Sequence, residues 1–123
     1  MIGYVTLGTN DLARARAFYD ALLSPLGISR IMEFGERGSA WGLSHDKPAL
    51  GIMLPFNQQA ATAGNGTMVA IALDSREKVD AAHARALALG GADEGAAGPR
   101  GDGFYAGYCR DLDGNKLNFF CLG

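Results

Sequence analysis

The 123-residue sequence predicts a mixed α+β fold built from two βαβββ modules that form a curved mixed sheet around a central cleft. Three observations lead there. A strand followed by a helix occurs twice, in "GYVTLG" with "DLARARAFYDALL" and in "TMVAIAL" with "REKVDAAHARALAL". Shifting the chain by 64 residues lays Tyr4 on Met68 and Gly27 on Gly91, and one further residue lays Met53 on Asn118, the pattern of an internal duplication. A run of small and polar residues, "NQQAATAGNG", separates the halves. The domain therefore divides into module one (1–56), a linker (57–66) and module two (67–123). Each module's single helix covers one face of its strands, so the other face needs a partner, and the other module's sheet is the natural one. Two curved sheets side by side leave a cleft, where pockets form.

Each element follows from local pattern. "GYVTLG" alternates β-branched and aromatic residues and reads as a strand. Thr9 or Asn10 is the expected cap of the next helix. On that helix Leu12, Ala15, Phe18, Tyr19, Leu22 and Leu23 recur at helical spacing as one apolar stripe, and Pro25 and Gly27 end it. "ISRIMEFGERGSAWGLS" reads as two strands joined near Gly35 to Gly38, and "ALGIMLPF" as a further one. After the linker and the strand "TMVAIAL", Asp74 with Glu77 three residues on resembles a capping box, and the second helix stops at Gly90-Gly91. "GFYAGYCRD" and "NKLNFFCL" are closing strands joined by the turn "LDGN".

Composition narrows the function classes. A net charge of −2 with interleaved signs leaves no basic face for nucleic acid. No apolar stretch reaches membrane-spanning length. The start "MIGYVTLGTND" runs into a strand without the charged and apolar regions of a signal peptide, so a cytoplasmic protein is expected. Cys109 and Cys121 are too few for a disulfide framework and suit no zinc spacing, which leaves them as free thiols. His83 falls on the second helix, pointing away from any cleft, and His45 in the loop "SHDKP". "DLDGN" lacks the length and final glutamate of a calcium loop and reads as a hairpin turn.

The opening "YVTLGTNDLARARAFYDALLSPLG", then "GGADEGAAGPR" and "GYCRDLDGNKLNFF" near the end, together resemble the vicinal oxygen chelate superfamily of glyoxalases, ring-cleaving dioxygenases and bleomycin-binding proteins. The resemblance covers essentially the whole chain. It implies one divalent metal in the cleft, held by the first strand of each module, usually through histidine, and by the last, often through glutamate. The corresponding positions here are Tyr4, Met53, Met68 and Asn118. None is a typical ligand for a hard or borderline metal, which takes imidazole nitrogen and carboxylate oxygen. The sequence therefore predicts no metal and no cofactor.

Residues sharing a strand face with those four positions are the expected cleft lining. Thr6 accompanies Tyr4, and Phe120 accompanies Asn118. Met53 and Met68 suit core packing equally well, whereas a buried Asn118 needs hydrogen-bond partners. Trp41, Tyr105, Tyr108 and Arg110 come from strands that would form the rim or floor, where aromatics and an arginine suit a flat anionic ligand. Arg110 has the alternative of pairing with Asp111 or Asp113. The leading expectation is a metal-free glyoxalase/bleomycin-resistance-like protein that packs a small organic ligand in the cleft. The alternative is a lyase or isomerase of the lactoylglutathione lyase type, which the family implies by analogy. Exposed sheet edges and the family's habit of pairing modules across chains predict a homodimer.

Overall fold

A computed structural model describes all residues from Met1 to Gly123. The chain divides into two compact units, Met1–Ala63 and Gly64–Gly123, with the boundary inside the sequence-predicted linker. Each holds one helix and one four-stranded mixed sheet.

In the first unit, β1 (Tyr4–Gly8), α1 (Leu12–Leu23), β2 (Ser29–Glu33), β3 (Gly38–Gly42) and β4 (Ala49–Met53) give the sheet order β1-β4-β3-β2. β1 runs parallel to β4, and the other neighbours are antiparallel. The cap of α1 is Asp11, one position beyond the expected residues. Its side chain accepts from the Arg14 N–H at 3.1 Å. Thr9 is fully buried and braces the turn instead, its hydroxyl accepting from the Asp11 N–H at 3.1 Å. The helix ends in a 3₁₀ turn over Ser24–Leu26, and Gly27 closes it at φ 76°. The stripe Ala15, Phe18, Tyr19, Leu22 and Leu23 is buried. β3 approaches β4 so closely that a Cβ on Gly38 would lie 2.3 Å from the Ile52 carbonyl oxygen, a contact only glycine permits.

The second unit repeats the plan. β5 (Val69–Ala72), α2 (Arg76–Ala88), β6 (Ala92–Pro99), β7 (Phe104–Arg110) and β8 (Lys116–Leu122) give the order β5-β8-β7-β6, with β5 parallel to β8. Ser75, not Asp74, caps α2 and accepts from the Lys78 N–H at 3.2 Å. Asp74 pairs with the Lys78 ammonium at 2.8 Å. β6 carries no strand signal in sequence, because "ADEGAAGP" lacks the β-branched and aromatic residues that favour strands. Pairing with β7 makes it a strand, at the cost of two register shifts on either side of Gly95. No helix is long and apolar enough to cross a membrane.

Candidate functional site

Strand alternation sorts every candidate onto one of two faces. In the first sheet, Trp41, Ser39, Leu50 and Ile52 lie on the helix side, where Trp41 is 1 % exposed and donates its indole N–H to Asp20 of α1 at 2.9 Å. Tyr4, Thr6 and Met53 share the opposite, helix-free face, as the register Tyr4↔Ala49, Thr6↔Gly51, Gly8↔Met53 requires. In the second sheet, Tyr105, Gly107, Cys109, Leu117, Phe119 and Cys121 face α2. The Tyr105 hydroxyl donates to Asp80 of that helix at 2.6 Å, and the Arg76 guanidinium lies 4.8 Å from its ring centre. Tyr108, Arg110, Asn118 and Phe120 take the helix-free face, and Met68 has the same parity as Ala70, the strand partner of Asn118.

Two expected site residues are thereby corrected. Trp41 and Tyr105 are not on the face that carries the others. Each points to its helix as strand parity requires, and its polar tip finds an aspartate there, Asp20 for the buried Trp41 indole and Asp80 for the half-buried Tyr105 phenol. Arg110 is corrected in its partner. It pairs with neither Asp111 nor Asp113 but with Glu94 of β6, Nε to Oε1 at 2.6 Å, and it donates to the Gly114 carbonyl at 3.1 Å. That ion pair holds the Glu94 carboxyl below its ordinary range.

On the helix-free face of the second sheet, two cations approach the Tyr108 ring. The Arg100 guanidinium is 5.6 Å and the Lys116 ammonium 5.4 Å from its centre. Phe104 and Phe120 stack at 5.4 Å beside it. Asn118 is 2 % exposed, and its amide nitrogen donates to the Gly107 carbonyl at 3.2 Å.

The four positions that the family resemblance marks for a metal do not suit one. Tyr4 offers a phenol that must lose a proton, Met53 and Met68 offer thioethers, and Asn118 a neutral amide already bonded to the backbone. No group of three or more histidine, cysteine, aspartate or glutamate side chains is arranged to hold a metal ion. His83 is committed elsewhere, its Nε2 lying 3.1 Å from Asp93 and 3.2 Å from the Tyr108 carbonyl oxygen. The Gly95 N–H foremost, and His83 after it, hold the Asp93 carboxyl below its usual range. Burial pushes the Cys109 thiol up to about 12, with Asp111 and Asp93 adding to it, so no reactive thiolate forms there near neutral pH.

One site is only partly legible in the sequence, which marks Thr6 and Met53 but neither Arg37 nor the wall formed by the linker. A pocket of about 510 Å³ opens at the C-terminal ends of the parallel strands β1 and β4, with Thr6, Arg37, Met53, Phe56, Asn57 and Thr62 among its walls. The sequence-predicted linker forms one wall, because Asn10 clasps it. The Asn10 amide donates to the Ala61 carbonyl at 3.1 Å and accepts from the Ala61 N–H at 2.7 Å. Gly8 leaves room beneath, since a Cβ there would stand 2.9 Å from the Ala61 Cβ. Composition marks such a run as a spacer, and nothing in its periodicity signals the clasp.

A sequence model of the Glyoxalase/Bleomycin resistance protein/Dioxygenase superfamily matches residues 1–119. Among solved structures, a glyoxalase/bleomycin resistance protein from Albidiferax ferrireducens T118 is 37 % identical with a TM-score of 0.88, covering 100 % of this chain and 99 % of that one. A glyoxalase-related enzyme from Fulvimarina pelagi shares the fold at 21 % identity and TM-score 0.78, over 98 % and 87 % of the two chains. A lactoylglutathione lyase from Agrobacterium tumefaciens shares it at 20 % identity and TM-score 0.71, over 98 % and 92 %. Among curated proteins none matches. The duplicated strand–helix–three-strand plan, the two mixed sheets and the match along nearly the whole chain agree: this protein belongs to the glyoxalase/bleomycin resistance protein/dioxygenase superfamily.

Proposed function

We propose that this protein binds a small organic ligand by packing and hydrogen bonding on the helix-free faces of its sheets, without a divalent metal at the positions that the family resemblance marks for one. The carrying observation is the donor set Tyr4, Met53, Met68 and Asn118. Enolisation of a hemithioacetal, the lactoylglutathione lyase reaction, needs a Lewis acid for the enediolate and a carboxylate base. The four side chains supply neither the ligands for the first nor the second. What each face supplies by itself is aromatic surface with a polar group, Tyr4 with the Thr6 hydroxyl on the first sheet and Tyr108 and Phe120 with the Asn118 amide on the second, which suits a ligand with a flat apolar body and a few polar atoms.

Elemental analysis of the dialysed protein tests this reading and is expected to find no stoichiometric divalent metal. One tightly held nickel, zinc, iron or manganese per chain would overturn it in favour of the lyase alternative, as would nickel-dependent turnover of the methylglyoxal–glutathione hemithioacetal. The protein is also expected to be a homodimer. β1 and β5 are edge strands, and Tyr4, Val5 and Met68 at those edges are 56 %, 36 % and 41 % exposed. A two-fold pairing would bury such edges. Light scattering at micromolar concentration should give twice the chain mass of 12.9 kDa, and a monomer mass would refute the pairing.

A further inference from the structure

We infer that the pocket at the ends of β1 and β4 is a recognition site for a monocarboxylate with an apolar body, and that Arg37 is the residue that selects the carboxylate. The inference deepens the proposal above and rests on it for the side of the first sheet that carries the ligand.

Arg37 is half-buried and lines both the 510 Å³ pocket and an adjoining recess of about 340 Å³. Three other arginines, Arg16, Arg30 and Arg110, each have a carboxylate partner, in Glu33, Asp20 and Glu94. Arg37 has none. Its guanidinium makes one long hydrogen bond, to the Leu54 carbonyl at 3.4 Å, and lies 5.5 Å from the centre of the Phe56 ring. A guanidinium carries five N–H donors in a planar fork, so most of this one's hydrogen-bonding capacity is uncommitted. A carboxylate matches that fork in a bidentate pair, stronger than a neutral hydrogen bond and fixed in orientation.

The rest of the pocket suits the rest of such a molecule. Met53, Leu54 and Pro55 make an apolar wall, and Phe56 is 90 % exposed, an aromatic ring left in water at the pocket's edge. Thr6 and Thr62 also line the pocket, and each carries a hydroxyl able to serve as a secondary partner. No second cation belongs to the lining, so the one positive charge balances a carboxylate better than a phosphate dianion. The volume falls in the range of small-molecule sites. The wall formed by the linker is held by the Asn10–Ala61 clasp, so this side of the site is ordered before a ligand arrives, which lowers the entropic cost of binding.

The test is an amide-resolved NMR titration of the full chain with 3-phenylpropanoate and with its neutral isostere 3-phenylpropanamide, at constant ionic strength. The acid is expected to bind about tenfold more tightly than the amide, as one charge-assisted pair implies. Shifts should centre on residues 6–8, 37 and 53–62. Arg37→Gln should abolish the preference for the acid, and Arg37→Lys should retain part of it, since charge survives but the fork does not. The Arg37 side chain gives the fold only one long hydrogen bond and an exposed ring contact, and the backbone bonds survive substitution, so both variants should keep the parent's dispersed spectrum. Equal binding of acid and amide, a preference that survives in Arg37→Gln, or no saturable shift at residues 37 and 53–62 would each overturn the inference. If both probes instead shift Tyr108, Asn118 and Phe120 alike, the Arg37 site falls while ligand binding on the helix-free faces stands. If neither probe shifts any of these residues, both readings fall.

Discussion

Replacing Trp41 with alanine should lower the unfolding free energy by about 4 kcal/mol, read as a fall in the urea midpoint at unchanged slope. The side chain is 1 % exposed, and its ring packs 5.6 Å from that of Tyr19 on α1. The Arg30 guanidinium lies 5.7 Å from the indole centre, and the indole N–H donates to Asp20 at 2.9 Å. Truncation leaves a cavity the size of an indole beneath a helix that its sheet cannot follow inward. In a domain stable by roughly 5–15 kcal/mol such a loss is a large part of the whole. Trp41→Phe should cost much less, because most of the volume remains and Asp20 keeps Arg30 as a partner, at 2.6 Å. Arg30 foremost, helped by the Trp41 hydrogen bond, holds the Asp20 carboxyl below its ordinary range. A carboxyl depressed in the folded state stabilises above its unfolded pKa and loses that contribution as pH falls through the folded one. The Asp20 contribution is therefore complete at neutral pH, where the measurement belongs. Trp41→Phe should also leave the 3-phenylpropanoate titration unchanged, since the ring is on the helix side of the sheet. An alanine variant within about 1 kcal/mol of the parent would refute the packing argument.

Asp111→Ala should destabilise by about 3 kcal/mol, through the hairpin that joins β7 to β8. Asp111 is 6 % exposed. One carboxylate oxygen accepts from the N–H groups of Asp113 and Asn115, both at 2.9 Å, and the other from the Asn115 amide at 3.0 Å. The turn closes with Asp111 N–H to the Asn115 carbonyl at 2.8 Å and Gly114 N–H to the Asp111 carbonyl at 3.1 Å, with Gly114 at φ 89°. Alanine removes the acceptor and strands donors in a place water reaches poorly. Asp111→Asn keeps the shape and one acceptor oxygen, so it should lose about half as much. Because β7 and β8 pair Tyr108 with Asn118, a loosened hairpin should also weaken near-ultraviolet circular dichroism from the tyrosines of β7. A loss under about 0.5 kcal/mol would mean that the turn's backbone holds without its carboxylate.

The sequence by itself determined the two-module plan, the position of both helices and seven of the eight strands, because each announces itself within a dozen residues by periodicity and stop signals. It also determined which residue types stand at the four positions that the family resemblance marks for a metal, none of them a typical ligand for a hard or borderline ion. Strand parity, equally local, grouped Tyr4 with Thr6 and Asn118 with Phe120. Caps were read one residue off, since several adjacent residues at each helix start can accept a hydrogen bond and only the chain's path selects one. β6 is a strand only because β7 offers it a pairing edge. Trp41 and Tyr105 turn to their helices, where they meet aspartates 21 and 25 residues away, and Arg110 chose a partner 16 residues distant over Asp111 and Asp113 close to it in sequence. The Arg37 pocket is the extreme case. It exists because a linker 51 residues from Asn10 folds back onto that amide, a contact between segments with no shared pattern, which only the folded chain brings together.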